Sequence, residues 1–207
     1  MKSSIWNFWA NKYDKLWVQK YSLTPTRNYI INAVSENQNC NKNIKVLDLG
    51  CGPGELRREL TNKFNHLDVT GIDFSEGMLE ISKSRNPDAK HIKMDVDDLY
   101  KLEDKYNIII CTHSLPYYKD PDKVMKELSR LLDDDGKLYM GFASGNDFYD
   151  KFVLSFVKLT TGPAFYPSDE NFKQLVKPYF QIENLKIIKE KSFMPRIAIY
   201  TLKKVIL

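Results

Sequence analysis

The chain has 207 residues, with 31 basic and 27 acidic side chains and a formal charge of +4: long enough for one substantial core, and too mildly charged to imply a nucleic-acid partner. Its three cysteines, Cys40, Cys51 and Cys111, are widely spaced and odd in number, which suggests neither a disulfide framework nor a zinc site and fits a reducing, cytoplasmic setting. No apolar run reaches membrane-spanning length, so a soluble single domain over residues 1–207, retaining its N-terminus, is expected.

Trp6, Trp9 and Trp17 all fall in the first seventeen residues, and with Ile5, Tyr13 and Leu16 they recur at approximately helical spacing. Residues 1–35 read either as helix packed on the main domain or as a helical lid that shields a bound ligand. An apolar strand over residues 45–49 then runs into Gly50, Gly52 and Gly54, and a helix over 55–64 follows at once. Glycine lacks a Cβ and takes positive φ cheaply, so a ligand can lie against the backbone at the carboxyl end of such a strand. A turn without a ligand needs only one glycine. The nicotinamide fingerprint is G-x-G-x-x-G, with pyrophosphate on the helix N-terminus; here the pattern is G-x-G-x-G, and Glu55 stands where the last small residue belongs. A carboxylate there faces a pyrophosphate unfavourably. A cationic ligand without phosphates suits the loop better.

The second strand, over 68–72, is followed by Asp73, where a carboxylate can accept from both hydroxyls of a ribose. Ser75 is a candidate N-cap for a helix over 75–84 whose apolar face begins at Met78. A third strand, 89–94, ends at Asp95, Val96 and Asp97, so a second acid stands beside the same crevice, suited to accept from an adenine amino group. Either acid alone is also a plausible cap. Residues 106–111 read as a strand buried on both faces, a helix over 121–132 ends in the Asp133 to Gly136 turn, and a fifth strand covers 137–142. Residues 144–167 hold Phe148, Tyr149, Phe152, Phe156, Phe165 and Tyr166, interrupted at Gly162-Pro163. A short helix over 172–176 and two antiparallel strands, 182–188 and 197–202, complete the chain. The C-terminal excess of lysine reads as a solvated surface, or as a surface for an acidic substrate or RNA. Alternating strands and helices argue for an α/β fold with a parallel sheet covered on both faces.

At these motifs the chain resembles the class I S-adenosylmethionine-dependent methyltransferases, particularly the methyltransferase type 11, or ubiquinone/menaquinone-biosynthesis-like, small-molecule branch. The likeness covers roughly residues 13–142 and rests on Val46-Leu47-Asp48-Leu49-Gly50-Cys51-Gly52-Pro53-Gly54, on Gly71-Ile72-Asp73-Phe74-Ser75-Glu76-Gly77-Met78-Leu79 and on the position of Asp95. The family's Pro-Gly-Gly turn before the fifth strand is reduced here to Gly136 alone. The resemblance implies a Rossmann-like seven-stranded sheet ordered 3-2-1-4-5-7-6, strand 7 antiparallel, with helices on both faces. It implies S-adenosylmethionine as cofactor: Gly50, Cys51, Gly52 and Gly54 along its amino-acid part, Asp73 on the ribose, Phe74, Met78, Asp95 and Val96 around the adenine, and the Cys111 carbonyl on the amine. By the same likeness Asp48 orients that amine through water, and Tyr13 and Arg27 close over the cofactor, Arg27 as a bidentate carboxylate clamp.

A sulfonium methyl donor is already electrophilic, so the protein must chiefly align an acceptor and exclude water. A base is optional. In the family, residues such as Thr112 to Tyr118 face the acceptor. His113 is a candidate base or a structural histidine, and Tyr117 lines the pocket, bonds the acceptor or merely packs. Aromatic residues of the 144–167 insertion, with the N-terminal tryptophans, suggest an apolar acceptor pocket over the site. Ser114-Leu115-Pro116-Tyr117 lacks the Asn/Asp-Pro-Pro-Tyr signature of base-methylating enzymes, and Cys111 does not follow a proline; both points disfavour nucleic acid. The expected function is methyl transfer to a small molecule. The alternatives are a noncatalytic module that binds S-adenosylmethionine or S-adenosylhomocysteine, and a nicotinamide-dependent oxidoreductase, against which Glu55 counts.

Overall fold

In a computed structural model, which describes residues 3–16, 18–36, 43–191 and 194–206, the apolar runs form the strands of one sheet. They are β1 (Ile44–Leu49), β2 (Leu67–Asp73), β3 (Lys90–Lys93), β4 (Tyr106–Thr112), β5 (Leu132–Ala143), β6 (Phe180–Ile188) and β7 (Ile197–Lys204). Their order is β3-β2-β1-β4-β5-β7-β6. The pairs from β3 through β5 are parallel, and β7 runs antiparallel to both β5 and β6. This is the expected topology. Trp17 and Cys40 lie outside the described residues.

Helices α1 (Ser3–Ala10), α2 (Thr24–Glu36), α3 (Glu55–Lys63), α4 (Glu76–Arg85), α5 (Pro121–Leu131), α6 (Phe148–Thr161) and α7 (Asp169–Val176) cover the sheet. Strand side chains alternate between its faces, and two apolar cores result. Leu47, Leu49, Ile109 and Cys111 join α5 and α7 on one face, while Val46, Ile108 and Ile110 join α2 and α3 on the other. Both faces of β1 and β4 are therefore dry, which is why these strands read as near-continuous apolar runs. On α5, Val124, Met125, Leu128 and Leu131 are at most 1% exposed, each worth about 1.5–3 kcal/mol of burial.

Two elements differ from the sequence expectation, and a third had carried none. β5 begins at Leu132, five residues early: Leu132 pairs with Tyr106 and Lys137 with Ile108, so the Asp133 to Gly136 turn becomes a four-residue excursion within a strand. Asn107 Nδ2 donates to Asp133 Oδ2 across it at 2.6 Å. The aromatic insertion is largely one helix, α6, capped by Asp147 at its start and stopped by Gly162 at φ 86°. The N-terminal segment is not a continuous helix either: α1 stops at Ala10, a 3₁₀ turn spans Tyr13–Lys15, and a π turn over Gln19–Leu23 leads into α2.

Candidate active site

The carboxyl ends of β1, β2 and β4 converge on the glycine loop. The backbone N–H groups of Gly50 and Cys51 both donate to the Ile72 carbonyl, at 2.8 and 3.0 Å, which docks the loop on the end of β2. Gly52 and Gly54 stand at φ 53° and 77°, a region costly for residues with a Cβ. Their surroundings differ. A Cβ on Gly52 would meet no atom within 4 Å, whereas one on Gly54 would collide with Ser82 and Asn86 of the α4 region. Gly54 thus serves the packing of α4, whose trailing Asn86 donates to the Gly54 carbonyl at 3.1 Å. Gly52 keeps its backbone open to the cleft.

Two carboxylates stand behind the loop with opposite degrees of satisfaction. Asp73 accepts from Gly52 N and Ser75 N, each at 2.9 Å, on its two oxygens. Burial pushes its carboxyl up, and backbone N–H donors from Ser75, Gly52 and Phe74 pull it back. Asp48, 2% exposed, has a buried Oδ2 without a hydrogen-bond partner. Burial raises its carboxyl to about 7, with the Arg57 guanidinium opposing and Asp73 adding to the rise. Ordinarily such an unpaired buried oxygen is costly, and functional sites are where it persists.

In front of the loop is a cleft of about 660 Å³. It is lined by Gly50, Gly52, Asp73, Phe74, Met78, Asp95 and Val96 from the sheet side, and by Trp6, Tyr13, His113 and Tyr117 opposite. Arg27, Asp48 and Cys51 line an adjoining recess together with Tyr13, Gly50 and Gly52. The described site thus brings together all but two of the sequence-derived candidates. Gly54 packs as above, and Cys111, expected to offer its carbonyl, lines neither space; its thiol, buried beneath the cleft, meets Ser114 Oγ at 3.2 Å and Tyr118 OH at 3.3 Å. Arg27 is already engaged: it pairs with Glu59 at 3.2 Å and donates to Gln19 and Thr24. Asp95 caps the 3₁₀ turn that follows β3 by accepting from Asp97 N.

α1 is fastened to the cleft by one side chain. Ser75 Oγ donates to Asn7 Oδ1 at 2.6 Å, and Gly77 N donates to the same oxygen at 3.2 Å, so Asn7 sits on the N-terminus of α4. The following turn is held by an ion pair between Asp14 and Arg85, which also reaches Glu55. Trp6 then meets the Tyr117 ring edge-on, centroids 5.2 Å apart. Burial and the neighbouring Tyr117 and Asp73 push the Tyr13 phenol well up.

Beyond this aromatic wall lies a second cavity of about 1170 Å³, which shares Trp6, Tyr13, His113 and Tyr117 with the first. From α6 it takes Leu154, Val157 and Thr161. Phe148, Phe152 and Phe165 line neither cavity and are 86%, 54% and 64% exposed; within α6 it is the face carrying Leu154, Val157 and Thr161 that lines the second cavity. His113 sits between the cavities at φ 59°, an uncommon conformation for a residue with a Cβ that histidine tolerates better than most. Its backbone N donates to the Gly141 carbonyl at 2.6 Å, and its Nε2 meets Thr26 Oγ1 at 3.2 Å. Burial, helped by Arg27, lowers the imidazole to about 4.

Sequence reading passed over Arg57, Asn7 and Thr26. Arg57, 2% exposed, donates to the carbonyls of Val69 and Lys90 and sets the charge balance behind Asp48. In the sequence it is one more basic residue in a helix, without any periodic signal. Asn7 and Thr26 act across 68 and 87 residues, separations that no local pattern reports.

A family model described as a methyltransferase domain matches residues 47–140. The malonyl-[acyl-carrier protein] O-methyltransferase of Bacillus anthracis is 30% identical over 111 residues, 53% of this chain and 41% of the relative. The demethylmenaquinone methyltransferase of Thermotoga maritima is 35% identical over 94 residues, 45% of this chain and 41% of the relative. The chain therefore spans less than half the length of these curated relatives. Among solved structures, the magnesium protoporphyrin IX methyltransferase of Synechocystis PCC 6803 with bound SAH superposes with a TM-score of 0.76 at 18% identity, over 98% of this chain and 99% of that one; this likeness is one of fold. The residues the family model matches carry the glycine loop, Asp73, Asp95 and Cys111.

Proposed function

We propose that the chain is an S-adenosylmethionine-dependent methyltransferase acting on a small-molecule acceptor. The observation that carries this reading is the open Gly52 backbone between an anchored carboxylate, Asp73, and an orphaned one, Asp48. The residues fit the cofactor's three parts: Asp48 would partner an ammonium and Arg27 a carboxylate, Asp73 a ribose, and Phe74, Met78, Asp95 and Val96 an adenine, all of them lining the cleft or its adjoining recess. When bound, S-adenosylmethionine supplies an electrophilic methyl group on a sulfonium. The chain's own part is to hold, orient and dry. Asp73 retains free lone pairs for two hydroxyls, Trp6, Tyr13 and Tyr117 offer ring faces to a cation, and the described part of the N-terminal segment acts as a lid whose first helix, α1, is tied down by Asn7. His113 and Tyr117 are the groups in reach of an acceptor.

The relatives named above act on small molecules or carrier-bound acyl groups by their names, which favours an enzyme over a noncatalytic binding module. Glu55 at the start of α3 still disfavours a nicotinamide dinucleotide. None of the described helices is long and apolar enough to cross a membrane, in keeping with a cytoplasmic placement. Calorimetry with S-adenosylhomocysteine tests the reading: micromolar-range binding is expected, lost in Asp73→Ala. No heat with the wild type, or equal affinity in the variant, refutes it.

A further inference from the structure

The hydroxyl of Thr26 has one proton, and it is spent on the Ser22 carbonyl at 2.8 Å. Thr26 Oγ1 can therefore only accept from His113 Nε2, 3.2 Å away. That contact places the ring proton on Nε2 and leaves Nδ1 a bare lone pair, with no hydrogen-bond partner among the described residues. Positive φ at His113 holds the ring at the boundary of both cavities, in a backbone state that persists only when its surroundings enforce it.

The larger cavity has a uniform chemistry. Among the described residues lining it there is no Asp, Glu, Lys or Arg; its walls are aliphatic and aromatic, with Ser22, Thr161, His113 and tyrosine hydroxyls as the polar points. It has room for a molecule of at least ring size. A charged guest would be desolvated there without a counter-charge.

We propose that this cavity is the acceptor site, that it takes an uncharged, largely apolar molecule of ring size or larger, and that the guest's reactive hydroxyl donates a hydrogen bond to His113 Nδ1, with Thr26 as the positioning residue that fixes the tautomer. The inference rests on the methyltransferase reading and adds the acceptor's class to it. Because burial keeps the imidazole neutral down to about pH 4, Nδ1 remains an acceptor throughout the physiological range. The hydrogen bond turns an oxygen lone pair toward the shared wall, behind which the cofactor site lies.

The test uses the whole protein with S-adenosylhomocysteine bound, and 2-naphthol, naphthalene and 2-naphthoate as probes. Calorimetry should show 2-naphthol binding at least about tenfold more tightly than 2-naphthoate, the cost of an unpaired carboxylate in an apolar cavity, and more tightly than naphthalene. Nitrogen-15 NMR of labelled histidine should show His113 as the Nε2–H tautomer, with its Nδ1 resonance moving as 2-naphthol is added. Thr26→Val should mix the tautomers and weaken naphthol while sparing naphthalene, a split that a merely structural role would not produce. Val157→Trp should fill the cavity and abolish naphthol binding while S-adenosylhomocysteine still binds. Equal affinity for naphthoate and naphthol, a protonated Nδ1, or naphthol binding unchanged in Val157→Trp overturns the inference. Failure of S-adenosylhomocysteine to bind the wild type instead overturns the function on which it rests.

Discussion

At Asp48 the cost to the fold and the proposed use to the site come from one property, a buried oxygen left without a partner. Its carboxyl, raised from 3.8 to about 7 by burial, contributes stability that is complete below about pH 4 and lost as pH climbs through about 7, because the unfolded chain ionises first. Asp48→Asn removes that titration. Its melting temperature should exceed the wild type's by a few degrees at pH 8, corresponding to about 1–3 kcal/mol, and the gap should narrow steadily below pH 7 and close below about pH 4; a gap that is equal at pH 8 and pH 4 contradicts the assignment. An ammonium arriving beside the wild-type carboxylate should lower its pKa and expel up to about half a proton at pH 7. Calorimetry of cofactor binding in buffers of different ionisation enthalpy measures that release, and the asparagine variant should show none. Asp73 was legible in the sequence because a strand end marks it. The contrasting state of Asp48, two residues before Gly50, was not, since burial and Arg57 decide it and neither is written locally.

Among elements, the glycine loop separates packing from binding. Gly52→Ala should cost about 1–2 kcal/mol of left-handed strain, leave the fold intact and abolish S-adenosylhomocysteine binding, since the new methyl enters only open cleft. Gly54→Ala should melt far earlier, because its methyl strikes Ser82 and Asn86. Melting curves paired with calorimetry distinguish the two; comparable melting of both variants would contradict the packing described. On α1, Asn7→Ala deprives Ser75 Oγ and Gly77 N of their partner, a loss of about 1 kcal/mol. Stopped-flow measurement should find cofactor leaving several times faster, with its arrival little changed. The strands and most helices were legible because two dry faces impose continuous apolar runs and Ser75 announces α4 by capping it. β5 was misjudged at its start because its first residue precedes a polar excursion that reads as a plain turn.

At the scale of the molecule, two cavities share one wall of Trp6, Tyr13, His113 and Tyr117. A guest that fixes that wall from one side would prepare it for the other. S-adenosylhomocysteine should therefore tighten 2-naphthol by about three- to tenfold, and naphthol should tighten S-adenosylhomocysteine by the same factor, as linkage requires. Additive, independent heats in titrations run in both orders would show the wall to be rigid. The aromatic density of residues 144–167 was visible in the sequence, but its direction was not. A helix crowded with rings on several faces does not declare which face is inward, and here Leu154 and Val157 turn in while Phe148 and Phe152 meet solvent.

The reversal of β7 bears on how such a protein diversifies. Because β6 climbs with the parallel strands and β7 descends, the described residues Met194, Pro195 and Ile197 stand at the rim where the parallel strands end and line the larger cavity. On the proposed function, insertions or deletions in the hairpin turn that joins β6 to β7 should remodel which guest is admitted while leaving the glycine loop and Asp73, several strands away, untouched. Natural variation and laboratory evolution of substrate choice should accordingly concentrate in it.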